Sequence, residues 1–273
     1  MNPRAPRSKG FFLLSLLLSG CARAPRAPEV LLPPVPMDAA EVSSLLDELK
    51  RQAESVRRYQ GLVRVRGRGA DGGFDARLAV FFERQPERLR VELLGAFGGT
   101  RWSAVASREE IIAYFPGPGH YLRESDVADV VARLLGLRLR SEDMMAALSG
   151  VGVSLYSSSP ARGYRRGATR FLEMETPSKR TLELNEDGQV GSAQSESYRV
   201  SYPGSWKSRG RPFPDELTID NESVRARLET SDVDVNVELD PETFLLEIPA
   251  DAVRLRPAEI DSESVFVVGR EPW

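Results

Sequence analysis

Reaction chemistry needs side chains that attack, shuttle protons or hold metals, and this 273-residue chain is poor in them. It has one cysteine, Cys21, and one histidine, His120. A catalytic centre joins a nucleophile, a base and an orienting acid within mutual reach. His120 follows Pro116-Gly117-Pro118-Gly119, a turn-forming stretch, so it reads as an exposed loop residue rather than a general base. One imidazole and one thiol are too few for the usual zinc sites. Gly67-Arg68-Gly69 lacks the lysine and Ser/Thr that complete a phosphate loop. The acidic residues mostly alternate with apolar ones, as on the wet face of a strand, and none marks a carboxylate pair. The expectation is a non-enzymatic chain with no catalytic residue, metal or cofactor.

The thiol has a different setting. Arg4, Arg7 and Lys9 precede the apolar run Phe11 to Leu18, and the small residues Ser19 and Gly20 lead to Cys21. A basic start, a short apolar stretch and a small-residue cleavage site describe a secretory signal. Leu18-Ser19-Gly20-Cys21 resembles the bacterial lipobox. That resemblance implies a diacylglyceryl group on the Cys21 sulfur, cleavage before Cys21, and a fatty acyl group such as palmitate on the freed amine. An ordinary secretory signal with a cysteine nearby is the competing reading. Acyl chains gain ~0.8 kcal/mol per buried methylene, enough to anchor a protein without a spanning helix. No later segment has the ~18 consecutive apolar residues a spanning helix requires. Ala22 stands where an aspartate would signal retention in enterobacteria. By that resemblance the expected location is the periplasmic face of the outer membrane, reached through the lipid anchor.

Net charge is −3 and the signal is purely basic, so the mature chain is more negative still. No Lys/Arg block invites nucleic acid. Electrostatic adhesion to anionic lipid is equally disfavoured. Hydrophobic residues make up 41%, sufficient for a real core. The expected organisation is a signal over 1–20, a lipidated cysteine and proline-rich tether over 21–37, a folded domain over 38–256 and a tail over 257–273.

Within the domain the apolar period changes. Val42, Leu45, Leu46, Leu49, Ala53 and Val56 fall at three- and four-residue spacing, predicting a helix over 38–58 that starts at Asp38, with Glu41 completing a capping-box pattern. From Leu62 the period is two. Phe74, Ala76, Leu78, Val80 and Phe82 share one face, as do Leu89, Val91 and Leu93, with charged residues between them. This is the pattern of an antiparallel sheet with one dry face. Further strands are predicted over 100–106 and 110–115, then helices over 126–135 and 141–148. Strands resume over 169–175, 180–184, 188–202, 216–220, 223–230 and 232–239, with Ser231-Asp232 read as a hairpin turn. Phe244 to Pro249 is expected to pack on the sheet, and Val265 to Val268 is a candidate strand in the tail. The fold class is therefore α+β: a curved antiparallel sheet, a half-open barrel, wrapped round a few helices.

Order and character resemble the LolA/LolB-like family of periplasmic lipoprotein carriers and outer-membrane receptors over about Leu45 to Ala250. The resemblance rests on the start helix with Tyr59-Gln60-Gly61, the Pro86 to Leu93 strand, Gly95-Ala96-Phe97-Gly98, the Leu134 to Leu148 helical region and Phe213-Pro214. It implies an apolar cavity for lipid or lipoprotein acyl chains, a role in protein transport as a lipid-binding chaperone, and a periplasmic carrier protein as partner. Candidates for the cavity wall are Phe74, Val80, Phe82, Leu89, Val91, Leu93, Trp102, Val131, Leu134, Val235 and Val237. A solid core built from the same residues is the alternative. Phe97, flanked by glycines, is placed at the tip of a protruding loop, unless it folds back on the sheet. A structural lipoprotein that docks another envelope protein and has no cavity stays open as the second function.

Overall fold

The structure is a computed structural model that describes residues 33–69, 72–135, 138–155, 161–175, 178–203 and 213–259. The signal, Cys21, the tether up to Leu32 and the candidate strand at Val265–Val268 lie outside the described residues. Val35–Pro36 form a short strand, β1, within the stretch expected to be tether. Asp38 then caps helix α1 (Ala39–Ser55), its carboxylate accepting from the Glu41 amide at 2.7 Å. The Glu41 side chain does not return the bond; it pairs with Arg165. α1 ends at Ser55 because the period changes there: Val56 and Tyr59 are fully buried and lead into a strand.

Six strands follow in meander: β2 (Arg58–Gly69), β3 (Gly72–Arg84), β4 (Glu87–Leu94), β5 (Thr100–Ser107), β6 (Ile111–Phe115) and β7 (His120–Glu124). Helices α2 (Val127–Leu135) and α3 (Ser141–Leu148) come next. The second run of strands is β8 (Ala161–Arg166), β9 (Thr169–Met174), β10 (Arg180–Leu184), β11 (Val190–Gln194), β12 (Arg199–Ser201), β13 (Glu216–Asp220) and β14 (Arg225–Val235). A 3-10 turn at Pro241–Phe244 and a two-residue strand, β15 (Val253–Arg254), finish the described chain before a last 3-10 turn at Pro257–Glu259.

The fifteen strands among the described residues form one sheet in the order β1-β8-β9-β10-β11-β12-β13-β14-β2-β3-β4-β5-β6-β7-β15. Every pairing is antiparallel except β15 with β7. The two edge strands do not pair, so the sheet is curved but unclosed, its curl following from strand twist. One hydrophobic cluster runs along its inner face and includes the buried residues of α1, α2 and α3. No helix among the described residues is long and apolar enough to cross a membrane.

Several strands depart from expectation. His120 is not in a loop: it opens β7, opposite Phe115 and Val253. β8 escaped notice because its inward positions are Ala161 and Gly163 rather than large apolar residues. Gly163 has a reason to be small, since a Cβ there would stand 2.6 Å from Val42 of α1. The 188–202 strand is two strands, split by the turn near Glu196-Ser197.

The expected hairpin at Ser231-Asp232 is instead a bulge inside one long strand. Ser231 faces Leu62 and Asp234 faces Gln60, so two residues oppose Gly61. Asp232 takes φ 48° to make the extra step. Before the bulge Ala226 and Leu228 point inward, and after it Val233 and Val235 do. A Cβ on Gly61 would lie 2.9 Å from Val233, so glycine there makes room for the bulged residue.

Phe244 to Leu245 crosses the outer face of the sheet. Arg90 donates to the carbonyls of Thr243 at 2.8 Å and Leu245 at 3.0 Å. The Arg88 guanidinium sits 4.4 Å from the Phe244 ring centre, a cation–π contact that helps bury Phe244.

Candidate binding site

Inward residues of three neighbouring strands make a floor. Leu93, Val91 and Leu89 on β4 stand opposite Trp102, Ala104 and Ala106 on β5, and Ala104 and Ala106 stand opposite Ala113 and Ile111 on β6. The β5 residues shorten abruptly after Trp102. Above them α2 turns Val127, Val131 and Leu134 downward, and the start of α3 adds Met144. Leucine and valine from the helix do not reach down to two alanines, so a partly open hollow remains. Its volume is about 380 Å³ counting the space at its mouth, and its wall is almost wholly apolar. The enclosed portion is narrow and holds little more than one water-sized sphere.

Polar groups gather at the α3 end. Arg140 and Ser141 line the hollow there. Arg140 pairs with Glu142 at 2.6 Å and Asp143 at 3.5 Å. The Ser141 hydroxyl donates to Glu87 at 2.7 Å, and Glu87 also meets Arg108 at 3.1 Å. Burial pushes the Glu142 carboxyl up; Arg140 pulls against this, and repulsion from Asp143 and Glu87 adds to the rise. Asp143 is tied deeper, accepting from the Ser154 amide at 3.1 Å and lying 3.8 Å from Arg180. Burial likewise drives the Tyr198 hydroxyl above its ordinary range, and the charge on Asp143 adds to this. Among the described residues no group of His, Cys, Asp and Glu could hold a metal ion. At the other end, Trp102 is 3% exposed and its indole Nε1 has no hydrogen-bond partner among the described residues.

The curved open sheet wrapped over helices is shared with solved structures. A LolA superfamily protein from Nitrosomonas europaea superposes with TM-score 0.51 at 14% identity, over 75% of this chain and 97% of that one. A domain assigned to outer-membrane lipoprotein sorting from Vibrio parahaemolyticus gives 0.54 at 10% identity, over 76% and 97%. A DUF1329 family protein from Desulfovibrio piger gives 0.53 at 12% identity, over 77% and 98%. The chain has the LolA-type fold. Neither a protein-family model nor a curated protein sequence matches it.

Within this fold, five of the eleven expected wall residues line one hollow: Leu89, Val91, Trp102, Val131 and Leu134. Val80 and Leu93 are buried on the same face beside it. Phe82 is engaged elsewhere, stacked on Tyr59 with ring centres 5.2 Å apart, and Tyr59 meets Phe213 edge-on at 6.3 Å. Phe74 lies at the far end of β3 over Gly67, where a Cβ would come within 2.5 Å of its ring. Val235 packs against the core opposite Tyr59. Val237 follows the end of β14 and is 36% exposed, so it takes no part in the wall. Alternation identified the face and could not say where along it the space would fall.

The residues that create the space are not among those expected in the wall: Ala104 and Ala106 beneath it, with Ile111, Val127 and Met144 around it. The available signal was the run Trp102-x-Ala104-x-Ala106, small residues on the dry face under a helix of valines and leucines. Phe97 is fully exposed, at the tip of the β4–β5 connection. Gly95 to Gly99 closes that connection with an amide–carbonyl bond of 2.7 Å, and Gly98 adopts φ +84°.

Proposed function

We propose that this chain is an exported lipoprotein, anchored through Cys21 at the periplasmic face of the outer membrane, that binds acyl chains in the hollow between β4–β6 and α2–α3. The observation carrying this reading is the hollow itself: an apolar wall formed by a curved sheet and two helices, with polar groups confined to one end. Its cargo is lipid or lipoprotein acyl chains, received from a periplasmic carrier protein. It performs no catalysis. Because the enclosed space is narrow, a chain enters only when α2 moves away from the alanines beneath it. The LolA-type fold supports the reading, as does the naming of one similar structure for lipoprotein sorting. The exposed Phe97, at the tip of a glycine-flanked connection, contributes an apolar contact to membrane or incoming cargo.

Lipid extracted from the purified full chain and identified by mass spectrometry tests this directly. One acyl chain per protein is expected; a lipid-free protein that instead holds a stable envelope partner would favour the assembly role. Cys21→Ser should move the protein out of the membrane fraction. Phe97→Glu should leave the fold intact and slow acyl transfer severalfold, read by passage of a labelled lipoprotein between vesicles.

A further inference from the structure

We infer that the hollow selects chains bearing a carbonyl, an acyl ester or thioester, through the indole Nε1–H of Trp102; this rests on the acyl-binding reading above. Trp102 lines the hollow and is 3% exposed, yet its one polar atom finds no acceptor among the described residues. Buried indole N–H groups usually have a partner, because an unmade hydrogen bond in an apolar site costs free energy. The groups around it offer none: Leu93 lies opposite and Ala104 is the next inward residue along β5. Apolar packing alone would be served by phenylalanine, so the donor points to an acceptor that arrives with the ligand.

The acceptor's chemistry follows from the charges. A carboxylate buried beside Trp102 would need a cation. Arg140 is the cation lining the hollow, but it sits at the α3 end and is already paired with Glu142 and Asp143. A neutral carbonyl oxygen carries no such demand and accepts one N–H. With that oxygen at Trp102, the hydrocarbon tail runs along β5 over Ala104 and Ala106 toward Ile111 and Met144, roughly 13 Å for four strand residues. The head of the molecule then lies by the β4–β5 connection, where Phe97 is exposed.

The test uses the full chain in lipid nanodiscs and two probes of equal length, methyl palmitate and the matching ether, methyl hexadecyl ether, which lacks the carbonyl. Wild type should prefer the ester by about tenfold, the worth of one buried hydrogen bond, and Trp102→Phe should bring that ratio close to one. The ¹⁵N-labelled indole signal lost in Trp102→Phe should move downfield in wild type on adding the ester and not the ether. Should the variant fail to fold, the indole shift decides alone, assigned from replacement of Trp206 and Trp273: equal shifts with both probes overturn the inference. Equal affinities for ester and ether in wild type also overturn it while leaving acyl binding standing. Binding of neither probe removes both.

Discussion

The two halves of the sheet are covered in different ways. Under α2, the floor of β5 steps down from Trp102 to alanines and leaves a hollow. On the other half, β9 to β13 turn Leu172, Met174, Leu182, Leu184, Val200 and Leu217 inward, all fully buried. There the segment after α3 comes so close that a Cβ on Gly152, at φ +83°, would stand 2.4 Å from the Ala193 methyl. The cover is also fastened by buried hydrogen bonds. Arg84 donates to the Val56 carbonyl at 2.8 Å, the Met145 carbonyl at 3.3 Å and the Ser149 hydroxyl at 2.7 Å. Tyr202 donates to the Ala147 carbonyl at 2.8 Å, and Arg180 to that of Ser154. Among the described residues, α2 has only its own Arg133–Asp129 pair and the Asp126 cap with its distant Arg138. An alanine thus means opposite things in the two halves: at 193 it permits contact, at 104 it leaves space. One half is tied down by buried hydrogen bonds, whereas over the hollow α2 rests on apolar contacts.

Removing a fastening should give the largest effect. Arg84→Met takes a donor from the Val56 carbonyl and from the Ser149 hydroxyl in a buried site, while the Met145 carbonyl keeps Ser149 as a donor; each group left unpaired costs about 1–3 kcal/mol. A loss of about 3 kcal/mol or more in urea unfolding is expected; a loss below about 1 kcal/mol would mean that the fixed half does not depend on it. A paired substitution tests the alanines next. Ala193→Leu overpacks the tight half and should cost about 1–3 kcal/mol. Ala104→Leu fills the hollow, so its stability should stay within about 1 kcal/mol of wild type while bound lipid disappears from the mass spectrum. Equal destabilisation by the two would erase the contrast. Hydrogen exchange gives a finer view: amides of α2 should exchange faster than those of α3, with the gap narrowing when an acyl chain is bound.

The smallest effect concerns Glu142 at the rim. Its carboxyl titrates above its unfolded value, so the folded state holds the proton more tightly. Its contribution to stability is therefore complete below the unfolded pKa and is lost as pH rises through the raised folded value. Glu142→Gln should remove that pH dependence and gain up to about 0.5 kcal/mol at neutral pH. A loss of stability at neutral pH would instead show that its ion pair with Arg140 dominates.

Much of the frame was legible in the residues. Asp38 starts α1 where its type predicts, the strands β3 and β4 follow their alternation, and Val131 and Leu134 fall on the apolar face of α2. Alternation reports which side of a strand is dry, not how far the opposing helix stands from it, and so it could not separate Leu89, which borders space, from Phe82, which is stacked on Tyr59. β8 stayed hidden because α1 approaches it through Gly163, and close approach selects small residues that carry no apolar signal. The strands read over 223–230 and 232–239 were correctly phased as far as Val235, where β14 ends short of the exposed Val237; what joins them is a bulge where a turn was expected.

That bulge at Asp232 also bears on how this chain compares with others of its fold. From Ala226 to Leu228 the even-numbered positions are dry, and from Val233 to Val235 the odd-numbered ones are. Any gap-free alignment of β14 with a strand that lacks the extra residue must therefore match dry positions to wet ones on one side of it. Similarity that survives in three dimensions is scrambled there in one, and a single inserted space beside Asp232 restores it.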